Sequence, residues 1–141
     1  MYSCILHATD LSENHFELCK KAMALAKTFK APIHFLNVIE QPAFSQLAQG
    51  LGFAELGKPD KEDAQTVMQL LGEAIGLPAE FQHIATGTAY QQILDTINEL
   101  GCDLVILGSH PNHAMPHFLG STAHAVMQHA ACDVMTLRSG D

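Results

Sequence analysis

Short apolar runs of strand length alternate along this chain with longer segments whose apolar residues recur every three or four positions. Few folds accommodate that alternation. The short runs are 2–8 (YSCILHA), 33–39 (IHFLNVI), 80–86 (EFQHIAT), 103–107 (DLVIL) and 133–137 (DVMTL). Between them, 13–29 carries Phe16, Cys19, Met23, Ala26 and Phe29 on one face, and 61–75 carries Ala64, Val67, Met68, Leu71 and Ile75. A third such segment, from Gly87 to Gly101, points Tyr90, Ile93, Leu94, Ile97 and Leu100 inward, and a fourth covers about 121–130. A helix repeats every 3.6 residues and a strand every two, so the first set reads as strands and the second as amphipathic helices. Ser12 suits an N-cap, Ala31-Pro32 breaks the first helix, and Gly76 and Gly101 stand where helices end. Five strands alternating with four helices predict a doubly wound α/β fold around a parallel sheet, one domain over residues 1–141. With right-handed crossovers, the order is 2-1-3-4-5 or 3-2-1-4-5.

Such sheets bind ligands beyond the carboxyl ends of their strands, where the winding reverses. The exits that suit a reversal follow strand 1 (Thr9, Asp10) and strand 4 (Gly108). The Leu104–Leu107 run reads as a strand buried on both faces, ended by a glycine that lets the chain turn and a ligand approach. After a His-rich, Pro-broken loop, Gly120-Ser121-Thr122 opens the last helix. A helix N-terminus offers unpaired N–H groups and the positive end of the dipole, so this triplet suits an anion such as phosphate. It equally suits a plain helix cap, and Asp10 equally suits a turn. On the reversal rule, Thr9, Asp10, Gly108 and the Gly120-Ser121 helix start surround one crevice.

Several functions are excluded. The formal net charge of -8 leaves no basic excess to neutralise nucleic acid or an anionic membrane. Lys20, Lys21, Lys27 and Lys30 cluster on one amphipathic segment and read as its solvated face. No apolar stretch reaches membrane-span length, the N-terminus has no basic n-region, and the four cysteines show no CxxC or disulfide spacing. The expectation is a cytoplasmic protein with free thiols. ATDLSE contains no glycine, so the G-x-G-x-x-G fingerprint is missing, as are a P-loop and a G-x-S-x-G elbow. His110, His113, His117, His124 and His129 crowd one stretch. Without CxxC or HExxH, and with Pro111 and Pro116 among them, they read as loop histidines and not a metal site. The segment 40–60, with Pro42, Gly50, Gly52, Gly57 and Pro59, is irregular but too apolar for a plain linker.

The first strand with ATDLSE, the LNVIE second strand, the ATGTAYQQI helix entry and the ending LVILGSH…LGSTAHAVMQHAACDVMTLR follow one another in a familiar order. In this the chain resembles the universal stress protein family, which has the adenine nucleotide alpha-hydrolase-like fold. The resemblance implies strand order 3-2-1-4-5 and a homodimer, with Asp133–Leu137 the strand that pairs across the axis. Many members bind ATP through Gly-x2-Gly-x9-Gly-Ser/Thr. Carried onto this chain, Asp10 faces the ribose and adenine end with Thr9 beside it in the cofactor-binding crevice, the Val38 backbone meets the adenine, and Gly108, His110, Gly120, Ser121 and Thr122 hold the phosphates. ATP or AMP, with magnesium accompanying ATP, is the implied ligand. Two departures stand out: the second glycine is Pro111, and eight residues (112–119) rather than nine precede Gly120. Another branch of the family lacks the glycines and holds no ATP, which leaves a second expectation, a homodimeric interaction protein with a degenerate crevice. No catalytic residue is assigned; slow ATP hydrolysis or autophosphorylation stands third.

Overall fold

The structure is a computed structural model that describes residues 1–11, 15–40, 50–52, 61–109 and 120–138. Ser12, His110, Pro111, His113, Pro116, His117 and most of the irregular 40–60 segment lie outside the described residues. The strands are β1 (Ile5–Ala8), β2 (Ile33–Ile39), β3 (Gln82–Thr86), β4 (Leu104–Ser109) and β5 (Asp133–Arg138). The helices between them are α1 (Phe16–Phe29), α2 (Lys61–Ile75), α3 (Ala89–Leu100) and α4 (Ser121–His129), with a 3-10 turn at Ala79–Phe81 leading into β3. The sheet is parallel throughout, in the order β3-β2-β1-β4-β5. Of the two orders the alternation allows, this is the one that the family resemblance implies. Element ends differ from the sequence reading by a few residues: β1 starts at Ile5 and not Tyr2, and the 3-10 turn takes the start of the third run.

Alternation along the central strands builds two cores. Ile5 and His7 face one side of the sheet and Leu6 the other, as side chains on successive strand residues must. Ile5, Phe35, Leu104 and Ile106 meet Cys19, Ala22 and Ala26 of α1 and Met68 of α2. Leu6, Leu36, Val105 and Leu107 meet Ile93 and Ile97 of α3 and Ala123 and Val126 of α4. Each fully buried Leu, Ile or Phe contributes about 1.5–3 kcal/mol against its exposed state. Around α1 the buried face is Leu18, Cys19, Ala22 and Ala26, a rotation away from the stripe centred on Phe16 and Met23. The reason is fit: small residues let the helix lie close to the sheet. On α2, Met68 is buried while Val67 is exposed, and on α3 Tyr90 is exposed too. The four lysines of α1 and its end are all exposed, as expected.

Candidate functional site

β1 ends at Ala8, between β2 and β4, so the winding reverses where its exit lies. Thr9 continues the pairing by one residue, its N–H donating to the Leu36 carbonyl at 2.8 Å. The Asn37 side-chain amide donates to the Thr9 carbonyl at 2.8 Å and fixes that peptide. The Thr9 hydroxyl then accepts the Leu11 N–H at 3.1 Å, and Leu11 takes a left-handed φ of 61°. A left-handed conformation costs a non-glycine residue about 1–2 kcal/mol. The tight turn it makes swings Asp10 out of the strand line.

The Asp10 carboxylate accepts from His15, Nδ1 to Oδ1 at 2.6 Å. His15 is buried at the start of α1, and the Asp10 side chain is half exposed. Gly108, leaving β4, lies against the same imidazole: a Cβ there would collide with His15 Nε2 and stand 2.7 Å from Leu18 Cδ1. The missing side chain at Gly108 therefore admits a neighbour from α1.

Behind this surface is a buried polar row. His7 Nδ1 is 3.0 Å from the Ile106 carbonyl, which can only accept, so Nδ1 carries the proton. Burial disfavours the imidazolium and pushes the His7 pKa down to about 4. Cys19 Sγ approaches His7 Nε2 at 3.9 Å and donates to the Thr9 hydroxyl at 3.6 Å. Burial raises the Cys19 thiol pKa, so this row is neutral.

The crevice in front has a volume of about 310 Å³. Thr9, Asp10 and His15 form one wall, Val38 and Glu40 from the β2 exit another, and Gly108 and Thr122 a third. Ile93 and Leu107 supply apolar floor beside Val38. Of the residues singled out in the sequence, Thr9, Asp10, Val38, Gly108 and Thr122 thus come together. Gly120 and Ser121 are exposed at the start of α4 and are not part of this lining. His110 lies outside the described residues. Sequence reasoning missed His15 and Glu40. His15 carried a signal only in hindsight, as the residue five beyond Asp10 at a helix entry.

A larger groove of about 570 Å³ runs between α1 and α2, lined by Leu11, Phe16, Val67, Leu70 and Leu71. Among the described residues its polar lining is limited to Thr9, Glu17 and Cys19, whereas Thr9, Asp10, His15, Glu40 and Thr122 converge on the crevice. Among the described residues, no lysine or arginine lines the crevice. Among the described residues, no group of three or more His, Cys, Asp or Glu side chains is placed to hold a metal ion.

The universal stress protein family model matches residues 1–138. Universal stress protein A homolog 2 of Coxiella burnetii is 31% identical over 140 residues, covering 97% of this chain and 95% of that protein. Among solved structures, universal stress protein UspA from Lactobacillus plantarum superposes with a TM-score of 0.77 at 23% identity, covering 97% and 98% of the two chains. A universal stress protein in complex with cAMP superposes at 0.65 and 15% identity, covering 99% and 98%. The chain belongs to the universal stress protein family. Among the described residues, no helix is long and apolar enough to cross a membrane.

Proposed function

We propose that the crevice at the β1/β4 exit binds an adenine nucleotide, and that the protein acts as a cytoplasmic, homodimeric binding or signalling module in a stress response. The observation that carries this reading is the convergence of Thr9, Asp10, Val38, Gly108 and Thr122 on one cavity. Asp10 and Glu40 are acceptors suited to ribose hydroxyls, and Val38, Ile93 and Leu107 offer apolar surface to a base. The phosphates would meet Gly108, Thr122 and the start of α4 at Gly120 and Ser121, where the helix dipole favours an anion. His110 joins that end by family resemblance alone. A cavity of about 310 Å³ is at the small end for ligand pockets, roughly 300–1,000 Å³, and suits the nucleoside that AMP and ATP share. One structural neighbour is described in complex with cAMP, a compact adenine nucleotide.

Calorimetric titration of AMP, and of ATP with magnesium, into the purified protein tests this. Binding of AMP that is lost in Val38→Trp, which fills the cavity, supports the reading; no heat with either nucleotide overturns it. A second reading, a nucleotide-independent interaction protein, is favoured by the two carboxylates and by the lack of lysine or arginine among the described residues of the lining. It predicts no bound nucleotide on extraction and a dimer in sedimentation all the same. The dimer would pair through Asp133–Leu137, a strand at the margin of the sheet whose backbone needs cover.

A further inference from the structure

Three cysteines gather at the end of the sheet opposite the crevice, and the nucleotide reading uses none of them. Cys4 and Cys132 immediately precede β1 and β5, and Cys102 lies two residues before β4. Parallel pairing brings these strand entries level: the Asp103 N–H donates to the Cys4 carbonyl at 2.9 Å, and the Asp133 N–H to the Asp103 carbonyl at 3.3 Å. The Asp103 carboxylate ties the corner, accepting the Ser3 N–H at 2.9 Å and the Cys4 N–H at 3.1 Å. Within it, Cys4 Sγ stands 3.0 Å from Cys102 Sγ, about 1 Å beyond a disulfide bond of about 2.05 Å. Cys102 is 6% exposed in the apolar core under α3, with Cys4 and Cys132 half-buried at its margin.

We propose that Cys4 and Cys102 are a modification site: a hydroperoxide oxidises them to a reversible intramolecular disulfide that leaves Cys132 a thiol. The more accessible Cys4 meets the oxidant. Its sulfur, giving up its proton, attacks a peroxide oxygen; the O–O bond breaks, an S–O bond forms, and the leaving oxygen departs as water when the oxidant is hydrogen peroxide. The Cys102 sulfur then attacks that of Cys4. The S–S bond forms, the S–O bond breaks, and the hydroxide takes up the Cys102 proton as a second water. Two thiols are oxidised and one peroxide is reduced. Burial pushes the Cys102 thiol well up, with Cys4 beside it adding to the rise, so Cys102 serves as the resolving partner and not the first nucleophile. Cys19 lies in the other core, with α1, and takes no part.

The test is independent of nucleotide binding. The reduced full-length chain is treated with hydrogen peroxide, its free thiols are counted, and its digest is mapped without reduction. The expected result is a loss of two hydrogens in intact mass, two of the four thiols remaining, a Cys4–Cys102 peptide pair, and full reversal by dithiothreitol. Cys132→Ser still forms the bond, and Cys4→Ser does not. Four surviving thiols, a linkage through Cys132 or Cys19, or oxidation to sulfinic acid without linkage would overturn the proposal. The linkage map of the unmutated chain decides the matter even if a variant fails to fold.

Discussion

Gly108 is held to glycine by its neighbours. His15 Nε2 and Leu18 Cδ1 occupy the space of a side chain, and neither can yield freely: Leu18 is fully buried and His15 is bonded to Asp10. Gly108→Ala is therefore expected to cost about 1–3 kcal/mol, the usual price of overpacking, read as a lower urea midpoint. Unchanged stability would show that His15 moves aside without loss. His7 sets a second expectation, in pH. Its pKa is about 4 when folded, against about 6.5 for an unperturbed histidine, because burial disfavours the cation. On acidification the unfolded chain binds the proton first. This contribution is thus complete above about pH 6.5, declines as pH falls toward about 4, and changes no further below that. Between about pH 7.5 and about pH 5 the loss due to His7 is about 2 kcal/mol. His34 and His83, also shifted down mainly by burial, act in the same direction. Urea unfolding at the two pH values should show the acid loss shrinking in His7→Leu by about 2 kcal/mol, and an unchanged loss would remove His7 from the account.

Helix termination shows at the element scale what sequence carries well and what it carries poorly. Gly76 follows α2 with φ of 79° and Gly101 follows α3 with φ of 69°, both places where glycine signalled the stop. α1 ends the same way at Lys30, with φ of 55° and its N–H on the Ala26 and Lys27 carbonyls, and no glycine announces it. Only Pro32 showed that the helix had to stop. Lys30→Gly is expected to gain about 0.5–1 kcal/mol by relieving the left-handed residue, after glycine's own entropy is deducted. Gly76→Ala, with nothing within 4 Å of the added Cβ, should lose about 1 kcal/mol through the backbone alone. Opposite signs in thermal denaturation would confirm both, and a shared sign would refute the cap argument. The strands were legible because Leu104 to Leu107 and Ile33 to Ile39 are short apolar runs between breakers. The rotation of α1 onto Leu18 and Ala22 was not, since periodicity gives a face and not which edge of it is pressed to the sheet. The gathering of Thr9, Asp10 and Gly108 followed from topology alone, whereas the Asp10–His15 contact depends on the turn at Leu11, whose left-handed φ no glycine signals.

For the whole molecule, charge and crevice act together on the proposed ligand. The chain carries a net charge of -8, and Asp10 and Glu40 face the cavity with no lysine or arginine among its described lining. A nucleotide approaching such a surface is repelled at long range while its base and ribose are attracted at short range. Salt screens the first and spares the second, because the Debye length is about 10 Å at 0.1 M and about 30 Å at 0.01 M. Affinity should then rise with ionic strength, the reverse of sites that gather phosphates with lysine and arginine. The rise should be larger for the more highly charged ATP than for AMP, about two- to fivefold against less than twofold between roughly 10 and 100 mM salt. Isothermal titration across that range, without magnesium so that the charges stay distinct, reads the effect directly. Affinity that falls as salt is added would mean cationic groups outside this lining hold the phosphates, and would move the anion's seat away from Gly108 and Thr122.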